Sequence, residues 1–170
     1  IVLRGPSGSG KTTISKILFE SAVDKVALIE QDHYRFIFKP AGGGSKPNSD
    51  TIHKMIKANT LTALADGYTV ILEGILSVRS YSEVLDEIFT EHPNENYMFY
   101  FDISLEETFR RHELRRNPNH KFTQDDMREW YPAAHKSDHM LEKIIPETYS
   151  TERSVEFIQK ISGLKITESS

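Results

Sequence analysis

The sequence predicts an α/β fold in which a parallel sheet is covered by helices on both faces. Short, continuously apolar runs alternate with segments whose apolar residues recur at helical spacing, as strands joined by crossover helices do. The first apolar run leads straight into a glycine-rich loop and then a helix. Carboxylates stand just beyond the later runs, where ligands bind in parallel α/β sheets.

Ile1-Val2-Leu3 opens the chain as a buried strand. Gly5-Pro6-Ser7-Gly8-Ser9-Gly10-Lys11-Thr12 follows and matches G-x-x-x-x-G-K-[ST] at every defined position. Ile14, Ile17 and Leu18 then recur at helical spacing, so residues 11–22 are expected to form a helix that also turns Ala22 inward. Strand, glycine loop and helix is the setting in which the motif has a mechanism. The glycines let backbone N–H groups turn toward phosphate oxygens, and the helix N-terminus adds partial positive charge. Lys11 can reach the β- and γ-phosphates, and the Thr12 hydroxyl can ligate Mg²⁺. The nucleotide-binding set is therefore Gly5, Ser7, Gly8, Ser9, Gly10, Lys11, Thr12 and Thr13.

Val26-Ala27-Leu28-Ile29 is the second strand and runs out into Glu30-Gln31-Asp32-His33-Tyr34-Arg35. Pro40 to Pro47 encloses three consecutive glycines, a composition that predicts a mobile loop. Residues 50–66 carry a helical pattern closed by Gly67. Val70-Ile71-Leu72 is the third strand, ending at Glu73-Gly74. Ser80-x-x-Glu83 has the form of a capping box and predicts a helix start there. Tyr97 to Phe101 is the fourth strand, ending at Asp102. Ser104-x-x-Glu107 predicts a helix running into Arg110, Arg111, Arg115 and Arg116, and Thr123-x-x-Asp126 one through Met127 and Trp130. Ile144-Ile145 reads as a short fifth strand, and 151–162 as a terminal helix.

Composition narrows the classes of function. The 170 residues suit one domain, 1–170, and a 38% hydrophobic, 27% charged balance is that of an ordinary soluble protein. The absence of cysteine excludes disulfides, thiolate catalysis and cysteine–zinc sites. No apolar run approaches the ~20 residues that span a bilayer, and no signal-peptide pattern is present, so no membrane partner and a cytoplasmic location are expected. A chain that begins inside a strand without methionine is expected to lack a few N-terminal residues. A net charge of −4 gives no global attraction to nucleic acid. Among seven histidines only His135 and His139 form an i,i+4 pair, without the acid of HExxH, so zinc is not expected.

The strand ends supply the chemistry. Asp32, with Arg35 three residues on, can take a proton from an attacking hydroxyl while Arg35 positions the acceptor; the bland alternative makes Asp32 the N-cap of a helix starting at His33. Glu73 can hold the Mg²⁺ bound by Thr12, or act as the base itself with Asp32 binding substrate. Across residues 110–121 four Arg and one Lys stand against one Glu, suiting a lid over the migrating phosphoryl group. Arg111 and Arg115, four apart, share one helix face. Ordinary pairing, Glu106 with Arg110 and Glu107 with Arg111, competes for these arginines. Trp130 is expected in packing, and with the loop 40–49 it borders the acceptor pocket.

The glycine loop, Asp32-x-x-Arg35, and Phe101-Asp102 with its arginine-bearing helix together resemble P-loop small-molecule kinases: polynucleotide 5′-hydroxyl kinase domains, chloramphenicol phosphotransferase and zeta-toxin kinases. The likeness spans residues 1 to about 130. Glu73-Gly74-Ile75-Leu76 departs from the turn typical of polynucleotide kinases and is similar to that of bacterial uridine-kinase-like proteins. The resemblance implies a P-loop NTPase three-layer sandwich, a five-stranded parallel sheet in the order 2-3-1-4-5 with a helical lid at about 111–130, and ATP with Mg²⁺. It implies that Asp32 is the base, that Arg35 binds substrate, that Arg111 stacks near adenine and that Arg115 reaches the phosphates. The function expected is transfer of the γ-phosphate to a hydroxyl of a small molecule. A regulatory NTPase switch and a polynucleotide 5′-hydroxyl kinase are the alternatives.

Overall fold

The computed structural model describes residues 1–38, 48–114, 123–131 and 135–167. The elements run β1 (Val2–Arg4), α1 (Lys11–Ser21), β2 (Val26–Glu30), α2 (Gln31–Phe36), α3 (Ser49–Ala65), β3 (Thr69–Gly74) and α4 (Val78–Glu91). They continue with β4 (Met98–Asp102), α5 (Leu105–Glu113), α6 (Gln124–Trp130), β5 (Glu142–Pro146) and α7 (Thr151–Ser162). The five strands form one all-parallel sheet in the order β2-β3-β1-β4-β5, as expected.

Alternation along the strands divides the core into two layers. Val2, Val70, Leu72 and Met98 face Ile52 and Ile56 of α3 and Val84, Leu85 and Ile88 of α4. Leu3, Ile71, Phe99, Phe101 and Ile145 face Ile14 and Leu18 of α1 and Val155 and Ile158 of α7. With both faces covered, the strands have no polar face. That is why they appear in the sequence as unbroken apolar runs.

The helix boundaries carry three corrections. Helix α1 ends at Ser21, and Ala22 is its half-buried C-cap rather than an inward core residue. Helix α2 starts directly off β2, with Glu30 in the N-cap position, so Asp32 lies inside the first turn and is not the N-cap. Helix α4 starts at Val78 behind Ser77, which places Ser80 within the helix rather than at its cap. The other boundary signals act locally as written. Ser104 accepts from the Glu107 amide, and Thr123 with Asp126 forms a complete capping box. Gly67, at φ 76°, takes the left-handed position after α3. The glycine-rich stretch 40–47 and residues 115–122, including Arg115 and Arg116, lie outside the described residues.

Candidate functional site

Residues 5–10 turn back sharply between β1 and α1, and their glycines are required there. Gly5, Gly8 and Gly10 have φ of 147°, 81° and 100°, a region that side chains disfavour. At Gly8 a Cβ would also lie 2.9 Å from Met127 Cε and 3.2 Å from Thr108 O, so α5 and α6 press directly on the loop. Gly10 is the N-cap of α1, and the first turn of that helix carries no acid to offset its positive end. Lys11 is buried, its Nζ donating to Pro6 O at 2.7 Å and Ser9 Oγ at 3.2 Å. The loop thus sets an ammonium beside a helix N-terminus, which suits a polyphosphate.

Parallel pairing of β1 with β3 sets Leu3 opposite Glu73, bringing the acid to the base of the loop. The Thr12 hydroxyl donates to Glu73 Oε1 at 3.3 Å. Glu73 is 5% exposed, and its burial pushes the carboxyl above its ordinary range. Lys11 and the Thr12 hydrogen bond pull it down, while Glu30 and Asp32 push it up. A buried carboxylate facing two other acids and one hydroxyl has the chemistry of a site for a hard divalent cation. Mg²⁺ takes few protein oxygens and completes its shell with water and phosphate, so Thr12 and Glu73 suffice as donors. Among the described residues no group of three or more His, Cys, Asp or Glu is placed to hold a metal ion.

Asp32 and Arg35 stand on one face of α2, their Oδ1 and Nη1 3.6 Å apart, and both are substantially exposed. Asp32 is near enough to Glu73 to act on its charge but makes no bond with it. Asp102, the third strand-end acid, pairs with Lys136 at 2.6 Å.

Helix α5 contributes Arg111. Its Nη1 donates to Ser9 O at 2.9 Å, its Nε to Glu107 Oε1 at 2.7 Å and its Nη2 to Glu147 O at 3.3 Å. Glu107 also takes both bonds from Arg110, at 2.6 and 2.8 Å. The expected Glu106–Arg110 pair is therefore replaced by one acid serving two arginines. These two guanidinium groups hold the Glu107 carboxyl down at about 2. Between the loop, α5 and the segment 146–151 lies a cavity of about 510 Å³, bordered by Gly10, Thr13, Arg111, Glu147, Tyr149 and Thr151. Tyr131 donates to Ile103 O at 2.9 Å and Trp130 is half-buried, so the end of α6 packs beside β4.

Sequence reasoning missed Arg4, Gln31 and Glu142. Arg4 and Glu142 form a buried ion pair at 2.5 Å, with side chains 1% and 2% exposed. Gln31, immediately before Asp32, is buried with its Oε1 accepting from the Leu76 amide at 3.2 Å. Buried polar residues in otherwise apolar surroundings were the available signal, but a partner 138 residues distant leaves no local trace.

A parallel sheet in this order, with a glycine loop at the head of its central strand, defines a P-loop nucleotide-binding domain. Residues 1–134 match the family described as AAA domain, and the chain belongs to that family. Its fold is similar to a tunicamycin resistance protein from Deinococcus radiodurans (TM-score 0.69, 16% identity, 99% of this chain and 98% of that one covered). It is likewise similar to a sugar kinase from Janibacter (TM-score 0.67, 17% identity, 96% and 93% covered). A third similar structure is a gluconokinase from Sinorhizobium meliloti (TM-score 0.65, 17% identity, 91% and 86% covered). No curated protein matches the chain at a significant level.

Proposed function

We propose that residues 1–170 form one kinase domain that transfers the γ-phosphate of ATP, with Mg²⁺, to a hydroxyl of a small molecule in the cytoplasm. The observation that carries this is the contact between Thr12, at the head of α1, and the buried Glu73. It sets a hydroxyl and a carboxylate beside the phosphate-binding concavity, with the exposed Asp32 on the next strand end. Mg²⁺, held by Thr12 and Glu73, would offset charge on the phosphate oxygens.

The loop amides and Lys11 hold the β- and γ-phosphates. Asp32 accepts the proton of the acceptor hydroxyl as its oxygen forms the new bond to the γ-phosphorus. The bond from that phosphorus to the bridging oxygen breaks, and ADP leaves with the electron pair. Arg35 orients the acceptor. Arg111 borders the cavity beside Thr13, where the nucleoside of ATP is accommodated. Arg115, four residues further on, is assigned to the phosphoryl group on the sequence alone. A sugar kinase and a gluconokinase among the similar folds support a small hydroxyl compound as the acceptor, and the acidic chain argues against a nucleic-acid end.

The test is a screen of sugars, polyols, nucleosides and hydroxylated antibiotics for acceptor-dependent formation of ADP. Turnover with at least one of these, requiring Mg²⁺, is the expected result. Rapid hydrolysis without any acceptor, stimulated by a protein partner, would instead favour a regulatory switch.

A further inference from the structure

Three segments of the site converge on a single buried residue outside it. Leu76 lies three positions beyond Glu73, is 0% exposed and has φ 43°, a left-handed conformation that leucine rarely adopts. Its backbone groups are held by one side chain from β1 and one from the start of α2. The Leu76 N–H donates to Gln31 Oε1 at 3.2 Å, and its carbonyl accepts from Arg4 Nε at 3.2 Å. Gln31 is the residue before Asp32, and Arg4 is the residue before Gly5 of the phosphate loop.

Both holding groups are fixed in their turn. Gln31 also lies against Gly74, where a Cβ would come within 2.3 Å of its Oε1. Gly74 is therefore the residue that admits Gln31 to the end of β3. Arg4 is locked by Glu142, by His135 O at 2.7 Å and by the Tyr100 ring, 5.3 Å from its guanidinium carbon. A strained backbone persists only where its surroundings over-determine it, and here the two side chains that hold it each adjoin a segment of the site.

We propose that Gln31 is a positioning residue, clamping the turn after β3 through Leu76 so that Asp32 on α2 keeps its place relative to Glu73 and the phosphate loop. This rests on the kinase reading of Asp32 and Glu73. The clamp sets the distance between the donor half and the acceptor half, and it touches neither nucleotide nor acceptor. Its loss should therefore lower kcat while leaving nucleotide binding intact. A purely structural role would lower stability without that division.

The test uses Gln31→Met, which keeps the side-chain volume and removes the amide, with Gln31→Ala as a second variant should the first fail to fold. Amide hydrogen exchange is measured on the wild type and the variant, together with the affinity for a fluorescent ATP analogue. Turnover is measured as Mg²⁺-dependent ADP formation with the sugar, polyol, nucleoside or antibiotic that the acceptor screen identifies. The expected result is faster exchange in Leu76–Ser77 and in Gln31–Phe36 together, an analogue affinity changed less than about twofold, and a kcat lowered about 10- to 100-fold, as for a small misplacement of reacting groups. Exchange that rises in only one of the two segments, or a kcat equal to that of the wild type, would overturn the proposal. A wild type that binds the analogue but forms ADP with none of the screened hydroxyl compounds would overturn the kinase reading, and the exchange result alone then decides whether the clamp exists.

Discussion

At Glu107 one carboxylate faces two guanidinium groups, and the consequence is a testable acid sensitivity. Its carboxyl is held at about 2, below the ordinary 4.5, so its protonation opposes the folded state. The stabilisation is fully present above pH 4.5 and is lost as the pH falls from 4.5 toward 2. Glu107→Gln should therefore lose less of its melting temperature than the wild type across that interval, as thermal unfolding at a series of pH values would show. Lys11 is a second single-residue case. Its ammonium reaches into the loop, so Lys11→Ala should weaken ATP affinity and turnover together, measured by calorimetry and by ADP formation. Both residues were legible in the sequence for the same reason: Lys11 belongs to a contiguous motif, and Glu107 lies within one helical turn of its partners. Glu107 was nevertheless assigned one arginine where it holds two, because rotamers decide between i,i+3 and i,i+4 pairing.

Helix α5 acts as a brace on the phosphate loop, and the brace runs through Arg111. Its bonds to Ser9 O and Glu147 O join the loop to the segment after β5 across the cavity that we propose takes the nucleoside. Arg111→Ala should raise the KM for ATP several-fold with a smaller change in kcat, since the lost contacts lie on the cavity wall; steady-state kinetics over ATP concentration would check it. Elements were legible where their signals are local. The capping box at Thr123 and the serine at Ser104 stand at their caps because each needs only its own first turn. Ser80 carries the same pattern but lies inside α4. The chain leaves β3 through the turn at Leu76 and Ser77, and the helix begins as soon as that turn ends. Tertiary constraint on the turn prevailed over the local cap.

Across the whole molecule, the order β2-β3-β1-β4-β5 brings the loop, Asp32 and Glu73 together at the carboxyl ends of β1, β2 and β3, from stretches up to about seventy residues apart. The strand and helix alternation made the parallel sheet legible, and the likeness to known kinases supplied its order. The pair between Arg4 of β1 and Glu142 of β5 was not legible, because a buried ion pair depends on which strands become neighbours. Arg4→Met leaves Glu142 buried and unpaired, and should cost ~3–5 kcal/mol in denaturant unfolding. The double variant Arg4→Met, Glu142→Leu should recover only part of that loss, because it removes the stranded charge but not the lost bonds to Leu76 O, His135 O and Ser137 N–H. The central claim concerns this end of the sheet: we propose that Asp32 is the base that makes it a phosphoryl-transfer site. The measurement that tests it most directly is kcat for acceptor-dependent ADP formation by Asp32→Asn, with ATP affinity measured on the same protein. The account predicts unchanged affinity and a kcat lowered about 10²-fold or more, as for loss of a general base. Near-normal turnover in Asp32→Asn would contradict it.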